Sequence, residues 1–287
     1  MAEVQIDDPL FDYKIYRFGR SRQIFRGPQP DLRGEYVCFL GAQHTFGRFA
    51  ERPYPALVGE DLVVGTLNLG TDGAGPGFFL SDPEILRAVN GSTACVVQVM
   101  SASAISNRMF SVRPRRNARL SEVSDLLTGL FPDVDFSKFS FVHGMLKHLS
   151  RTDEDRFRLV VNEMKNAWIG RMQTLLSTAE TRTILFWFSQ RSLDDGESDT
   201  PNSPADKYPH YIDRAMIDAV KGCADYYVEC VTSVGLPHDL RVEGRTVLFR
   251  PSGEPIDTNR SLPSPEMHQQ AADALLPQIE QILDGDV

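Results

Sequence analysis

Short runs of consecutive apolar residues recur along the chain, each bounded by glycine or polar residues. Four of them cover residues 36–40, 63–69, 93–100 and 183–188, and a fifth lies at either 225–231 or 245–249. Runs of this length between turn residues are typical of strands that are buried on both faces. The pattern therefore predicts a central sheet built of these strands.

Segments with helical spacing of apolar residues separate the runs. They cover residues 82–89, 153–176, 207–223 and 264–283. The first begins at Asp82 and the last at Ser264, and each of these capping residues is followed by a proline at the first helical position. Strands that alternate with helices indicate βαβ units and a mostly parallel sheet. We therefore predict an α/β fold with a three-layer, doubly wound core.

Two segments fall outside this alternation. Residues 1–35 are rich in arginine, glycine and proline and are predicted to form an N-terminal arm, and residues 112–150 are predicted to be a helical insertion. Residues 36–287 would then form a single domain, which is long enough to bury a sizeable core. The polar, proline-rich residues 189–209 are expected to be a loop at the edge of a site.

Composition narrows the classes of partner. The 287 residues include 30 basic and 39 acidic ones, giving a net charge of −9, which disfavours non-specific binding to nucleic acid. No run approaches the ~20 apolar residues of a membrane span, and the acidic N-terminus lacks the apolar core of a signal peptide. The expectations are no nucleic-acid partner, no membrane span and a cytoplasmic location, and the oligomeric state is left open.

The cysteines and histidines show no metal-binding pattern. The four cysteines form no C-x-x-C pair, and two lie in apolar runs, so buried free thiols are expected, in keeping with a reducing compartment. No HExxH motif occurs, and the histidines lack ligand spacing. No metal and no cofactor is predicted.

Ligands of open parallel sheets bind beyond the carboxyl ends of the strands. Here those ends lead into residues 41–47, 70–77, 101–107 and 189–191. The segments GAQHTFG, NLGTDGAGPGFFL, VVQVMSASAISN and RSLPSPEMHQQAADAL contain these loops and the start of the last predicted helix. In this order they resemble the sequence blocks of the SGNH (GDSL-type) hydrolase superfamily. The resemblance covers about residues 36–107 and 182–283 and implies a flavodoxin-like three-layer sandwich with a serine-esterase site.

The departures from that family change the expected chemistry. Carried over position by position, the nucleophilic serine falls on Gln43 and its preceding aspartate on Ala42. The oxyanion-hole glycine is kept as Gly73, while the oxyanion-hole asparagine falls on Ser103. The catalytic aspartate and histidine fall on Asn259 and Leu262. Because an amide cannot attack a carbonyl and leucine cannot accept a proton, the resemblance implies a domain without the serine-esterase triad.

The whole chain also resembles an uncharacterised domain family found chiefly in marine alphaproteobacteria. The segments that carry this resemblance are YRFGRSRQIFRGP, FLGAQHTFGRF, SNRMFSVRPRRN and LPSPEMH. It implies no activity.

Candidate site residues follow from the loops and the resemblance. The expected ligand-binding residues are Gln43, His44, Gly73, Ser103, Asn107 and Arg108. The expected anion-binding residues are Arg20, Arg22, Arg113, Arg115 and Arg116, because arginine binds carboxylate, sulfate or phosphate in a bidentate manner. If there is catalysis, the candidates are His44 or His268 as the base, with Ser101, Ser103 or a bound water as the nucleophile. Local ion pairs for the arginines and packing roles for the histidines are the alternatives.

Three functional hypotheses remain open. In the first, the domain binds a small polar or anionic ligand, such as a saccharide, without hydrolysing it. In the second, it is a transferase or hydrolase acting on carbohydrate esters with altered catalytic residues. In the third, it is a protein-interaction module whose basic arm docks a partner. A tight, arginine-lined pocket favours the first two, and a flat exposed apolar patch favours the third.

Overall fold

The computed structural model describes residues 11–21, 23–114, 116–194, 208–249 and 252–285. Its strands are β1 (Tyr16–Arg17), β2 (Ile24–Phe25), β3 (Tyr36–Leu40), β4 (Gly65–Asn68), β5 (Ala94–Gln98), β6 (Phe110–Arg113), β7 (Arg116–Val123), β8 (Arg182–Ser189), β9 (Tyr226–Val231), β10 (His238–Asp239) and β11 (Thr258–Asn259). Its α-helices are α1 (Gln43–Phe46), α2 (Tyr54–Leu62), α3 (Pro76–Leu80), α4 (Pro83–Asn90), α5 (Asp125–Leu130), α6 (Val142–Thr152), α7 (Glu154–Thr178), α8 (Arg214–Lys221) and α9 (Pro265–Leu283).

The central sheet has five parallel strands in the order β4-β3-β5-β8-β9. In chain order this is 2-1-3-4-5, the flavodoxin-like arrangement, so the predicted fold class is confirmed. The fifth strand comes from β9, whereas residues 245–249 contribute no strand to this sheet. Because the order reverses at β3, the loops after β3 and β5 diverge and leave a crevice at their carboxyl ends.

Alternate residues of each strand face two different helix layers. In β3, Val37 and Phe39 pack in a cluster with α2 and α9, while Cys38 and Leu40 pack in a larger cluster with α3, α4, α7 and α8. All residues of β3 and β5 are buried, which explains why these strands read as continuous apolar runs. The sheet is therefore the middle layer of three.

Capping residues set the starts of the long helices. The side chains of Asp82, Asp153, Asp213 and Ser264 each accept a hydrogen bond from a backbone N–H in the first turn of α4, α7, α8 and α9, respectively. The predicted helices 82–89, 153–176 and 264–283 agree with α4, α7 and α9. The predicted helix 207–223 is shorter, with α8 limited to Arg214–Lys221, and residue 207 lies outside the described ranges.

The described part of the N-terminal arm is fastened to the first loop of the sheet. Strands β1 and β2 form a short antiparallel ladder, and the Phe25 side chain is fully buried in the larger core cluster. The buried Arg26 guanidinium donates hydrogen bonds to the carbonyls of four residues: Phe46, Gly47, Ala50 and Glu51, at 2.6–3.2 Å. Burial lowers the pKa of Arg26 to about 10. The arm thus holds the loop that follows α1.

The insertion is helical only in its second half. It begins with an antiparallel hairpin of β6 and β7, and α5, a 3₁₀ turn at Phe136–Lys138 and α6 follow. The hairpin was not predicted because its arginine-rich sequence carries few apolar residues at alternate positions. Residues 195–207, which make up most of the predicted loop 189–209, lie outside the described residues.

All four cysteines are free thiols, and three of them are buried. In the portion of the chain that the structure describes, no helix combines the length and the apolar character that crossing a bilayer requires.

Candidate functional site

A cavity of about 340 Å³ lies at the carboxyl ends of β3, β4 and β5. This is the small end of the ~300–1,000 Å³ range of ligand pockets. Its floor comes from the three loops after these strands, one wall from residues 208–211, and its roof from α6. The crevice predicted by the strand order is therefore a real, partly enclosed space.

The floor carries most of the polar side chains. Gln43 is the first residue of the one-turn helix α1, and its Nε2 donates a hydrogen bond to the Asp72 carboxylate from the next loop. Ser101 and Ser103 lie beside them after β5. Gly73 has a φ of +67°, in the left-handed region that favours glycine, and lets this turn pass close to Ala118 of β7. The floor therefore offers amide, carboxylate and hydroxyl groups to a ligand.

The sides of the cavity are apolar. They are formed by Ala42, Ala74, Ala104, Ala118, Phe141 and Leu146. The Phe141 ring at the rim is half-exposed, and the Arg119 guanidinium carbon lies 4.6 Å from its centroid. Small side chains and one aromatic edge leave room for a flat ligand with an apolar face.

The wall at residues 208–211 is fixed by hydrogen bonds to strand ends. The His210 N–H donates to Ser101 Oγ at 2.9 Å, and the Tyr208 hydroxyl donates to the Val99 carbonyl at 3.2 Å. The buried Arg191 guanidinium donates to the carbonyls of Pro209 and Ile212, and its carbon lies 4.9 Å from the Trp187 ring centroid. These hydrogen bonds fix residues 208–211 to the carboxyl ends of the central strands.

Beneath the floor lies a sealed layer of five buried residues: His44, Thr45, Tyr54, Gln98 and His268. The Gln98 Oε1 atom accepts hydrogen bonds from Thr45 Oγ1 and the Ala42 N–H, and Thr45 Oγ1 also bonds the Tyr54 hydroxyl at 2.8 Å. A Cβ at Gly41 would lie 2.0 Å from Thr45 Oγ1, so glycine is needed for this close approach.

The two histidines of the sealed layer have defined tautomers. His44 Nδ1 lies 3.3 Å from the Phe188 carbonyl and must carry the proton, whereas His268 Nδ1 accepts from the Tyr54 N–H. Their Nε2 atoms are buried and have no hydrogen-bond partner among the described residues. Burial lowers the pKa of each imidazole to about 3. Neither histidine lines the cavity, although both were expected as candidate bases.

Other expected ligand-binding residues also lie outside the cavity. Asn107 Oδ1 accepts from the N–H groups of Met109 and Phe110, so this side chain shapes the turn into β6. Arg108 forms a bidentate pair with Glu163 of α7, and that side-chain hydrogen bonding lowers the pKa of Glu163. The structure thus brings together Gln43, Gly73 and Ser103 and leaves Asn107, Arg108 and His44 elsewhere.

The arginines expected to bind anions do not line the cavity where they are described. Arg20 and Arg113 are exposed outside it. Arg22 and Arg115 lie outside the described residues, and the side chain of Arg116 is not described. The basic residues that do line the cavity are His210 in the wall and His143, Lys147 and Arg151 of α6.

The last sequence block forms a turn rather than a catalytic pair. Asn259 Oδ1 accepts from the N–H groups of Ser261 and Leu262, and its Nδ2 donates to the Leu262 carbonyl. The Leu262 side chain packs in a small apolar cluster with Phe49, Leu240 and Leu248. These contacts lead the chain into α9 and place no acid–base group beside Gln43.

Sequence reasoning missed the α6 residues and the wall at residues 208–211. A four-residue spacing of His143, Lys147 and Arg151 was the available signal for the former. For the latter no local pattern exists, because the contact depends on where Arg191 fixes the chain. Within the described ranges, no group of three or more His, Cys, Asp or Glu side chains is placed to hold a metal ion.

Comparisons with solved structures place carbohydrate esterases among the similar chains. The acetylxylan esterase Axe2 from Geobacillus stearothermophilus matches with a TM-score of 0.43 and 12% identity over 86% of this chain and 94% of its own. A family two carbohydrate esterase from Clostridium thermocellum, in complex with cellohexaose, matches with a TM-score of 0.43 and 12% identity over 91% and 68%. A carbohydrate esterase family 2 enzyme from Corynascus thermopiles (Myceliophthora fergusii) gives 0.43 and 12% over 91% and 71%.

No curated protein sequence matches the chain. A family model does match, and it spans residues 1–283, which includes the arm, the sheet, the insertion and α9. The chain belongs to the family described as Domain of unknown function (DUF6473).

Proposed function

We propose that this protein binds a saccharide, or another small polyhydroxylated molecule, in the cavity and does not hydrolyse esters there. The Gln43–Asp72 pair on the floor carries this proposal. It occupies the place where the SGNH resemblance puts a nucleophile. An amide fixed on a carboxylate presents both donor and acceptor atoms to hydroxyl groups and has no nucleophilic character.

The remaining lining suits the same ligand class. Ser101 and Ser103 add hydroxyl groups to the floor, and the alanines and the Phe141 ring supply apolar contact. Ligand sites are typically apolar with a few convergent polar groups that fix orientation, which is the composition found here. A sugar ring has hydroxyls at its edge and C–H groups on its faces, and it matches both surfaces.

The buried histidines argue against hydrolysis. A general base must reach the proton it removes, directly or through one water. His44 and His268 lie in the sealed layer, and their Nδ1 atoms are taken by the Phe188 carbonyl and the Tyr54 N–H. With a pKa of about 3, each is also a weak base at neutral pH. The alternative, a carbohydrate-ester hydrolase, would have to use Ser101 or Ser103 with another base.

The test is calorimetric titration of the protein with a panel of mono- and disaccharides. We expect Gln43→Ala and Asp72→Asn to weaken binding by about tenfold or more, because the first removes the amide and the second replaces a charged acceptor by a neutral one, and such hydrogen bonds are worth ~1–3 kcal/mol once buried by a ligand. The matched control is the exposed pair Gln269 and Asp273 of α9, in which a glutamine amide also donates to a carboxylate. Gln269→Ala and Asp273→Asn should leave binding unchanged.

A second assay separates binding from turnover. Hydrolysis of p-nitrophenyl acetate and acetylated sugars should stay at the background rate. Turnover that is lost in Ser101→Ala or Ser103→Ala, in a variant that still folds, would contradict the proposal and favour the hydrolase. If no saccharide binds and the Gln43 and control variants behave alike, the cavity is not a saccharide site.

A further inference from the structure

Helix α6 carries a basic stripe along one face. His143, Lys147 and Arg151 are spaced four residues apart, which places them one above the other on a helix. All three line the roof of the cavity, together with Leu146 and Ser150 of the same helix. We refer to His143, Lys147 and Arg151 as the basic stripe.

The stripe is held in place by the packing of its helix. Val142, Met145, Leu146 and Leu149 are buried in the larger core cluster, and α6 packs on α7. The helix therefore cannot rotate the stripe away from the cavity without exposing this apolar surface to water, which is unfavourable. The charges are fixed over the floor rather than carried on a loop.

The two cationic side chains of the stripe, Lys147 and Arg151, have no partner among the residues that the structure describes. Neither the Lys147 Nζ atom nor the Arg151 guanidinium makes a hydrogen bond or ion pair with any residue that the structure describes. By contrast, Arg156 and Arg158 at the start of α7 pair with Asp153, Glu154 and Asp155. The Lys147 and Arg151 charges are therefore available to a ligand.

The charge of the cavity opposes the charge of the chain. Asp72 is the single carboxylate among the described lining residues, and it accepts the Gln43 amide on the floor. Lys147 and Arg151 therefore outnumber it, whereas the whole chain carries a net charge of −9. A pocket that is positive inside an acidic protein concentrates anions.

We propose that the basic stripe binds an anionic group on the saccharide whose hydroxyls meet the floor, so that the ligand is an acidic, phosphorylated or sulfated sugar. This inference rests on the proposed function. Arg151 can engage two oxygens of a carboxylate, phosphate or sulfate, and Lys147 adds a point charge. Floor and roof then recognise opposite ends of one small molecule.

The experiment compares matched neutral and anionic probes by calorimetric titration. The probes are glucose, glucuronate, glucose 6-phosphate, glucose 6-sulfate, inorganic phosphate and inorganic sulfate. We expect at least one anionic sugar to bind at least tenfold more tightly than glucose, and added salt to reduce the difference. The three anionic sugars distinguish carboxylate, phosphate and sulfate, and the inorganic ions show whether the sugar ring is needed.

The decisive variant is the Lys147→Gln, Arg151→Gln double substitution. We expect it to weaken binding of the anionic sugar about 10- to 100-fold and so to remove most of the preference over glucose, because hydrogen bonds to charged groups are the stronger ones. The control is Lys14→Gln, Arg17→Gln, which makes the same change in net charge at two exposed residues outside the cavity. It should bind all probes as the wild type does.

The outcomes separate the two proposals. If glucose and the anionic sugars bind equally, or if both double variants lose the same affinity, the inference is overturned while saccharide binding stands. If only inorganic phosphate or sulfate binds, and the stripe variant abolishes it, the basic stripe is an anion site but the saccharide proposal fails. If no anion binds in a manner that depends on the stripe, the inference is wrong.

Discussion

Two polar regions lie on either side of the Tyr208 ring and differ in what can reach them. On one side is the sealed layer, with the His44 ring 4.2 Å from the Tyr208 centroid. On the other is the cavity, which Tyr208 itself lines. Both contain histidines, amides and hydroxyls. The difference shows that burial, rather than a place in a sequence block, decides which polar groups are available to a ligand.

Neighbouring residues of one helical turn divide between these regions. Gln43 points into the cavity, and His44 is buried in the sealed layer, because successive residues of a helix project about 100° apart. The sealed layer thus supports the floor from below. Its hydrogen bonds position α1, while the cavity retains groups that have few internal partners.

The largest expected effect is the acid sensitivity of the sealed layer. His44 and His268 have folded-state pKa values of about 3, below the ~6.5 of an unfolded chain. The unfolded state therefore binds more protons than the folded state between pH 6.5 and pH 3, and stability falls as the pH falls through that window. Between pH 7 and pH 5 we expect a loss of about 2 kcal/mol per imidazole, about 4 kcal/mol for both.

Urea unfolding at pH 7, 6 and 5 measures this loss. His44→Phe or His268→Leu should each remove about half of the pH dependence, since each removes one buried imidazole. His148→Gln, at an exposed position on α6, should leave it unchanged. A wild-type stability that is flat from pH 7 to pH 5 would show that the imidazoles are not sealed from water.

The next largest effect concerns Arg26, through which the N-terminal arm holds the loop that follows α1. Arg26→Met removes a guanidinium that satisfies four carbonyls, and each buried carbonyl left without a donor costs free energy. We expect the free energy of unfolding to fall by about 3 kcal/mol. Chemical denaturation gives the value directly.

The control for Arg26→Met is Arg33→Met. Arg33 is exposed, and among the described residues its ion-pair partner is Asp31 two residues away, so its loss should leave the free energy of unfolding nearly unchanged. Equal losses for the two variants would mean that the arm does not hold the first loop.

The sequence predicted the strands and helices that build both regions, but it did not predict that one region is sealed and the other is open to a ligand. The apolar runs predicted the strands of the sheet, and capping chemistry predicted the starts of α4 and α9 at Asp82 and Ser264. The burial of His44 depends on how β8 and α9 close over α1, and a single sequence does not contain those long-range contacts. The basic stripe was visible as a four-residue spacing, yet it gained meaning only when α6 was placed over the floor.

The smallest expected effect is the outcome of restoring a serine. Gln43→Ser recreates the hydroxyl that the SGNH resemblance expects at this position, but Leu262 cannot supply a base and His268 is fixed by the Tyr54 N–H. We expect hydrolysis of p-nitrophenyl acetate to remain at background. A clear gain of esterase activity in this variant would mean that a usable base lies nearer to residue 43 than the structure places one.

Histidine-detected NMR tests the division between sealed layer and cavity most directly. The six imidazole signals would be assigned with single His→Gln variants and then followed during titration with the sugar that binds most tightly. We expect the signals of His143 and His210, which line the cavity, to shift on binding and those of His44 and His268 to stay in place. Shifts at His44 and His268, with His143 and His210 unmoved, would contradict this division and place the ligand in the sealed layer.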